Sequence, residues 1–359
     1  MTTTSPIKIF ATGLTGYIGG DWLHAITQTH PEYQITALVR NSDKGAKIAQ
    51  QYPKVKLVYG DLDSEDVIEA ESRGADVVCH FAHADHEASA NAIVRGLTAK
   101  EKPGFLIHTS GTGILLFEDL RAKTFGQAFR EKVYDDLEGV KEVTSLPDDA
   151  IHRNVDKIVL AAAKKGVNTA IVCPPTIYGI GRGPDNTRSM QLPWLCEATI
   201  ERGYAPRVNA GKTYWGNVHV HDLSDLYIKL LEQAAAGGAT AEWNGKPAVW
   251  GEEGYYFCEN GEHVWGEVSQ WVADEAAKQG LIEKNEVRGL SDEEVSKISP
   301  YGPALWGANS RARAKRARKV LGWEPKAPSL KEEVKSTLEV EAKRLGKTKG
   351  HAAVAAGEK

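Results

Sequence analysis

The 359-residue chain has no apolar run approaching the ~20 residues that cross a bilayer, so a helical membrane protein is not expected. Its formal net charge is only −4, from 44 Lys plus Arg against 48 Asp plus Glu, and no cationic excess points to nucleic acid. Cysteine is scarce. Cys79, Cys173, Cys196 and Cys258 are scattered without CxxC spacing, which speaks against a disulfide framework and fits reduced, buried thiols. Met1 to Pro6 is short and polar, so a secretory leader is not expected and the protein is read as soluble and cytoplasmic.

What is present begins with a glycine-rich turn. Ala11-Thr12-Gly13-Leu14-Thr15-Gly16-Tyr17-Ile18-Gly19-Gly20 follows the apolar run Ile7 to Phe10 and opens an amphipathic stretch containing Trp22, Leu23 and Ile26. Tyr33 to Val39 then reads as a second strand. Strand, glycine turn and helix start bring unpaired backbone N–H groups and the positive end of a helix dipole to one point, which a pyrophosphate can approach closely. The turn predicts a dinucleotide site contacted by Gly13, Thr15, Gly16, Tyr17, Ile18 and Gly19.

Short β-rich runs then alternate with helical stretches. Strands are expected at 35–39, 55–59, 77–81, 105–108 and 169–173, and helices at 16–27, 42–51, 64–72, 87–97 and 151–165. Such alternation gives an α/β architecture, a Rossmann, doubly wound parallel sheet with ligands over the carboxyl ends of its strands. The second strand ends at Arg40. An acidic residue there would accept from the adenosine 2′-hydroxyl, whereas a cation suits a 2′-phosphate, so NADP(H) is favoured over NAD(H). Lys44 is placed to reinforce that phosphate site, with Asp43 beside it. Asp61, followed by Leu62, is a candidate acceptor for the adenine amino group, and Asp63 or Ser64 is a candidate helix cap.

Taken in order, these pieces resemble the extended short-chain dehydrogenase/reductases, which include sugar epimerases and dihydroflavonol reductase-like enzymes. The matching pieces are the TGxxGxxG turn, Gly60-Asp61-Leu62, and the fifth strand leading into Thr109-Ser110-Gly111. Further on come Cys173 to Gly179 (CPPTIYG), Gly216 to Leu223 (GNVHVHDL) and Leu321 to Lys326 (LGWEPK), so that the resemblance spans about residues 6 to 335. It implies that Phe81 and Ala82 pass near the cofactor and that Pro174, Thr176 and Ile177 border the nicotinamide. It also implies that a Ser or Thr after the fifth strand polarises the substrate carbonyl or hydroxyl. Ser110 takes that role, with Thr112 as second candidate.

The family also places a YxxxK pair on the next helix, the tyrosine passing the proton and the lysine holding the nicotinamide ribose and lowering the tyrosine pKa. Lys157 stands at the lysine position, but four residues earlier stands Arg153 in place of tyrosine. On a helix starting at 151 both cations face the site. Arginine does not serve as a proton donor, though it binds anions. Three repairs are open. Another acid acts, with His83, His86 and Tyr134 as candidates, while His152, about 100° round the helix from Arg153, is expected to point elsewhere. Alternatively, Arg153 holds an anionic substrate group, with water or Ser110 managing the proton. In the third case the site is silent and the protein senses NADP, as in NmrA-like regulators; a non-redox isomerase or lyase on this fold is a further alternative. A metal site at His80, His83, His86, His219 and His221 is not expected, because their spacing does not imply a convergent tetrahedral set.

The resemblance divides the chain into an NADP-binding domain, 1–175 with about 216–240, and a smaller C-terminal substrate-binding lobe, 176–215 and 241–335. Residues 336–359 are then a helix end and a fraying tail. Residues 117–150 read as a partly helical lid or interface element. Arg182 and Arg188 are candidate anion contacts, with a solvated loop as the plainer expectation. Trp194, Trp215, Trp243, Trp250, Trp265, Trp271 and Trp306 fall in the second half and suit an apolar pocket or a core. The basic run Ser310 to Lys319 is expected to present a solvated cationic face and not a nucleic-acid patch. The expected protein is an NADP(H)-dependent oxidoreductase or epimerase-type enzyme with non-standard acid/base residues. It acts on a small organic carbonyl or hydroxyl compound, without nucleic acid or membrane as partner, and a homodimer is the assembly considered.

Overall fold

A computed structural model describes residues 6–128, 131–238 and 247–347. Seven strands make the central sheet: β1 (Lys8–Thr12), β2 (Gln34–Val39), β3 (Lys56–Tyr59), β4 (Val77–His80), β5 (Phe105–Thr109), β6 (Asn168–Cys173) and β7 (Tyr255–Phe257). Their order is β7-β6-β5-β4-β1-β2-β3, and every pairing is parallel. The order reverses between β1 and β4, and such a switch point opens a crevice at the carboxyl ends of the strands. The glycine turn leaves β1 at that point.

The longer helices are α1 (Tyr17–Thr29), α2 (Ser42–Gln51), α3 (Glu65–Gly74), α4 (Glu87–Thr98), α5 (Arg153–Ala163), α6 (Gln191–Arg202), α7 (Val220–Ala235), α8 (Trp265–Lys278), α9 (Lys315–Leu321) and α10 (Leu330–Arg344). α1 packs on α7, α3 on α4, and α4 on α5. β4 is buried along its whole length, the pattern of a parallel strand covered on both faces. One core joins the sheet to Trp22, Leu23, Ile93, Val159 and Leu226. A second gathers Leu192, Trp265, Val268, Leu330 and Leu338 from α6, α8 and α10, with Trp306 from the short helix Gly302–Gly307.

Two expectations are corrected. The span from residue 247, expected in the substrate lobe, instead supplies β7, whose Tyr255, Tyr256 and Phe257 are fully buried at the sheet edge, and Trp250 packs on Phe105 at 4.9 Å. An apolar run of four, Tyr255 to Cys258, gains more by extending the sheet than by lining a pocket. Trp243 and the tail from 348 lie outside the described residues.

The basic run keeps only part of the expected solvated face: Lys315, Arg318 and Lys319 are exposed, but the run is tied to carboxylates. Arg311 makes two hydrogen bonds to Glu262 (2.6 and 2.9 Å), Lys315 reaches Asp135 and Glu138, Arg318 meets Glu259, and Arg316 is fully buried. Carboxylates from residues 135–138 and 259–262 meet these cations at the surface, and Arg316 is drawn wholly inside. At the centre, Asp136 accepts from the Phe257 and Arg316 backbone nitrogens, each at 2.8 Å, tying β7 to α9.

Replacing Asp136 by Ala leaves two buried N–H groups unpaired, and the expected loss is about 2–4 kcal/mol, read as a lower unfolding midpoint. Asp136→Asn, which keeps one acceptor oxygen, should lose roughly half as much. A midpoint unchanged in the Ala variant would sink this account of the clamp.

Candidate active site

Gly13 leaves β1 with φ +80°, and a Cβ on it would stand 2.8 Å from the Ala82 nitrogen. A Cβ on Gly19 would stand 2.6 Å from the Gly13 carbonyl oxygen. Only glycine lets the turn settle this closely against the end of β4. Gly16 precedes α1 without a side-chain cap and the first turn of α1 carries no acid, so its N–H groups are left for an anion. These features fit a dinucleotide pyrophosphate, with the backbone of Thr15, Tyr17 and Ile18 as its cradle, while the Gly16 N–H closes the turn on the Gly13 carbonyl at 2.9 Å. The Tyr17 hydroxyl is occupied, donating to the Gly179 carbonyl at 2.7 Å. Phe81 is packed between Trp22 and Tyr227 and supports the turn from beneath.

At the adenosine end, Arg40 is exposed and makes no ion pair among the described residues. Asp61 Oδ1 accepts from the Ser64 hydroxyl (2.9 Å) and the Asp63 nitrogen (3.1 Å), chiefly the former holding its pKa low. Its Oδ2 is left for a ligand, and Leu62 packs against the first core. Lys44 pairs with Asp185, not with Asp43.

At the reacting end, the Ser110 and Thr112 nitrogens donate to the carbonyls of Val172 (2.8 Å) and Pro174 (3.0 Å), fixing the turn after β5 beside the Pro174–Ile177 segment. Thr112 is committed, since its Oγ1 accepts from Trp215 Nε1 at 3.2 Å and its carbonyl from the Ser310 hydroxyl at 2.8 Å. Among the described residues the buried hydroxyls of Ser110 and Thr176 complete no hydrogen bond, although Ser110 lies close to Asp156 and Cys173.

The structure overturns the expected pair Arg153 and Lys157. Arg153 is buried and donates Nε to the Leu146 carbonyl at 2.9 Å; Lys157 pairs with Asp148 at 2.9 Å and lies half-exposed beside Asn91 and Asn154 of the α4/α5 groove. Both bind the segment before the helix, although Arg153 stays near enough to Asp156 to act on its charge. In their place stands His152, also expected elsewhere. α5 begins one residue later, and His152 has φ +68°, a left-handed conformation that costs a non-glycine residue about 1 kcal/mol or more. Its Nδ1 lies 2.8 Å from Asp85 Oδ1, while Nε2 lies 3.2 Å from where a Cβ on Gly111 or Gly113 would stand. The His152 bond holds the Asp85 pKa down, so the carboxylate accepts and Nδ1 donates, leaving Nε2 to face the turn that carries Ser110.

Beneath this dyad is a buried chain. The Cys173 thiol donates to the Tyr255 hydroxyl (2.8 Å), which donates to Asp156 Oδ2 (2.9 Å). Asp156 Oδ1 has no completed hydrogen bond, although the Ser110 hydroxyl is near enough to pull the carboxyl pKa down. Burial outweighs that pull and pushes Asp156 up to about 6. Deeper still, burial lowers His80 to about 4 and His108 further, so the stacked pair (5.3 Å) is neutral. His80 is held by Thr12 at 2.7 Å.

The other expected residues are tied up locally. His83 Nδ1 accepts from the Asp85 nitrogen, His86 caps α4, and Tyr134 pairs with Ala312 in a short strand. Among the described residues no three His, Cys, Asp or Glu converge as metal ligands. Arg182 makes two bonds to Asp21 and Arg188 two to Glu341, which corrects both the anion contacts and the solvated loop.

The family described as NAD(P)H-binding matches residues 13–174. A protein named oxidase ucsJ, from Acremonium sp., is 40% identical over 345 residues, 94% of this chain and 99% of that protein. A dTDP-glucose 4,6-dehydratase of Mycobacterium tuberculosis is 25% identical over 247 residues, 64% of this chain and 70% of its own. Among solved structures, dTDP-glucose 4,6-dehydratase from Bacillus anthracis in complex with NAD shares the fold with a TM-score of 0.66 at 16% identity, covering 94% of this chain and 97% of that one. UDP-glucose 4-epimerase from Thermotoga maritima gives 0.61 at 15%, covering 94% and 100%.

Two measurements probe the site without substrate. His152→Gly should be more stable than His152→Ala by about 1 kcal/mol, since glycine alone adopts that φ freely; equal midpoints would mean the backbone there is unstrained. Asp156 is about 6 when folded and near the ordinary carboxylate value when unfolded, so the folded state binds the extra proton between those limits. Its contribution to stability is therefore full below about pH 4 and is lost as pH rises through about 6, on the order of 3 kcal/mol. Asp156→Asn should flatten that part of the stability–pH curve, and an unchanged slope would place the titration elsewhere.

Proposed function

We infer the activity from one premise: the chain belongs to the extended short-chain dehydrogenase/reductase family. On that premise it is an NADP(H)-dependent oxidoreductase for a small organic carbonyl or hydroxyl compound, with His152 in the office usually held by tyrosine. The observation that carries this reading is the His152 imidazole, bound to Asp85 and turned in a left-handed backbone toward the Ser110 turn. Arg40, exposed at the end of β2 with no ion pair among the described residues, supports the 2′-phosphate reading.

When bound at the glycine turn, the nicotinamide supplies or accepts a hydride at C4. For reduction, Ser110 donates a hydrogen bond to the substrate carbonyl oxygen, and protonated His152 gives its Nε2 proton to the same oxygen as the carbonyl carbon gains hydride. Asp85 accepts from Nδ1 and so orients the ring with Nε2 toward the Ser110 turn. In the oxidative direction His152 takes the hydroxyl proton. Asp156, below, has Oδ1 without a completed hydrogen bond among the described residues, and in its protonated form it can donate to the Ser110 oxygen, which leaves the single Ser110 proton for the substrate.

Thermal shift should show greater stabilisation by NADPH than by NADH, and nicotinamide absorbance over a panel of aldehydes, ketones and nucleotide sugars should reveal turnover. His152→Phe should then lower kcat by about 10²- to 10⁴-fold while the NADPH-induced shift persists. Turnover intact in that variant would remove His152 from the mechanism. Nucleotide binding with no oxidation or reduction of any substrate would favour a sensor.

A further inference from the structure

The segment from Gly179 to Arg188 crosses the glycine turn as a strap. A Cβ on Gly183 would stand 2.6 Å from the Gly20 Cα, the Asn186 nitrogen reaches the Thr15 carbonyl at 3.3 Å, and Arg182 is locked on Asp21. An internal bond from the Gly181 nitrogen to the Thr187 carbonyl (2.9 Å) closes the loop on itself. These anchors deliver the Asp185 carboxylate to α2, where one oxygen pairs with Lys44 and the other with Lys47.

The position matters because the corridor from the glycine turn to the end of β2 is the one an adenosine diphosphate must follow in a Rossmann crevice. Lys44 lies in the first turn of α2 and Lys47 one turn on, four and seven residues beyond Arg40. Three cations at that end would be a strong 2′-phosphate site, yet two of them already have an anion belonging to the chain. The Asp185 side chain is only 12% exposed and its backbone is pinned on both sides, whereas the lysines are 33% and 49% exposed on flexible stems. In an exchange of partners the carboxylate stays and the ammonium groups move.

We propose that Asp185 sets the discrimination between NADP(H) and NAD(H), competing with the 2′-phosphate for Lys44 and Lys47. The inference rests on the nucleotide site described above and adds the residue that tunes it. A 2′-phosphate must draw one or both lysines away from Asp185, whereas the 2′-hydroxyl of NAD(H) leaves both pairs intact. Any effect of Asp185 on the shared pyrophosphate is common to the two nucleotides and cancels in their ratio.

Isothermal titration of NADP⁺ and NAD⁺ into the intact protein, with Asp185→Asn and Asp185→Ala beside the wild type, tests this without a substrate. The ratio of Kd for NAD⁺ to Kd for NADP⁺ should rise about fivefold in both variants at low salt, and the gain should shrink at about 0.5 M salt, because a half-exposed pair is screened. Adding Lys44→Gln and Lys47→Gln to Asp185→Asn should abolish the gain. A ratio that stays within about twofold of wild type at low salt, or a gain that survives loss of both lysines, overturns the proposal. If wild type binds neither nucleotide, the nucleotide site itself is wrong; if it binds both and the ratio does not move, only the role of Asp185 falls. Melting curves without nucleotide establish that each variant is folded.

Discussion

The carboxylate of Asp21 is the point on which the rest of the nucleotide end depends. It is fully buried in α1, and burial drives its pKa up, yet hydrogen bonds from the Arg182 guanidinium, the Ser224 hydroxyl and the Arg182 nitrogen more than reverse that and keep it ionised. A buried charge with one partner removed is costly by several kcal/mol, so all three elements that meet at Asp21 are committed together. They are the helix that begins at the glycine turn, the start of α7 and the strap. The strap therefore cannot drift from the turn without exposing or stranding a charge. Its path over the turn, which positions Asp185 against α2, follows from that single buried anion.

The sheet was legible because its strands and helices alternate in a period that admits one architecture, and because a glycine turn between a strand and a helix has a steric meaning: Gly13 and Gly19 leave no room for a Cβ. The phase of α5 was not legible. A helix read from Ile151 places His152 about 100° from the face shared by Arg153 and Lys157. The helix begins instead at Arg153, and the left-handed His152 just before it does not obey the helical wheel. One positive φ thus exchanges which side chain meets the Ser110 turn. Histidine gives no local warning of that conformation. Its partner Asp85 lies between the candidates His83 and His86, but no local feature of the sequence singled it out.

Charge was the second thing the sequence hid. Arg311, Lys315, Arg316 and Arg318 look alike in a row, and nothing local separates a solvated cation from a buried one. The separation is made by partners far away in the chain, Glu262, Asp135, Asp136 and Glu259, which only the folded topology brings near. The same holds for Arg182 and Arg188. Long-range pairing decided all of these, and a low net charge with many ions of both signs is the composition in which such pairing is commonest. Tyr255 shows the corresponding limit for apolar runs, since an edge strand that joins the sheet late in the chain looks no different from a lobe strand until its neighbour β6 is known.

On the proposed reading, the reacting end of the site is also reversed in sign. The familiar arrangement sets a lysine near a tyrosine so that a cation stabilises a phenolate. Here Lys157 has left the site and the groups around the candidate acid are carboxylates, Asp85 at its Nδ1 and Asp156 behind Ser110. A carboxylate beside an imidazole favours the imidazolium, and an imidazolium that gives up its proton returns a neutral ring. Such a site suits protonation of a developing alkoxide, because the attraction between His152 and the oxygen is greatest while both carry charge and vanishes when the proton has passed. The buried His80 and His108, which desolvation keeps neutral, stand apart from His152, which meets a carboxylate at Asp85.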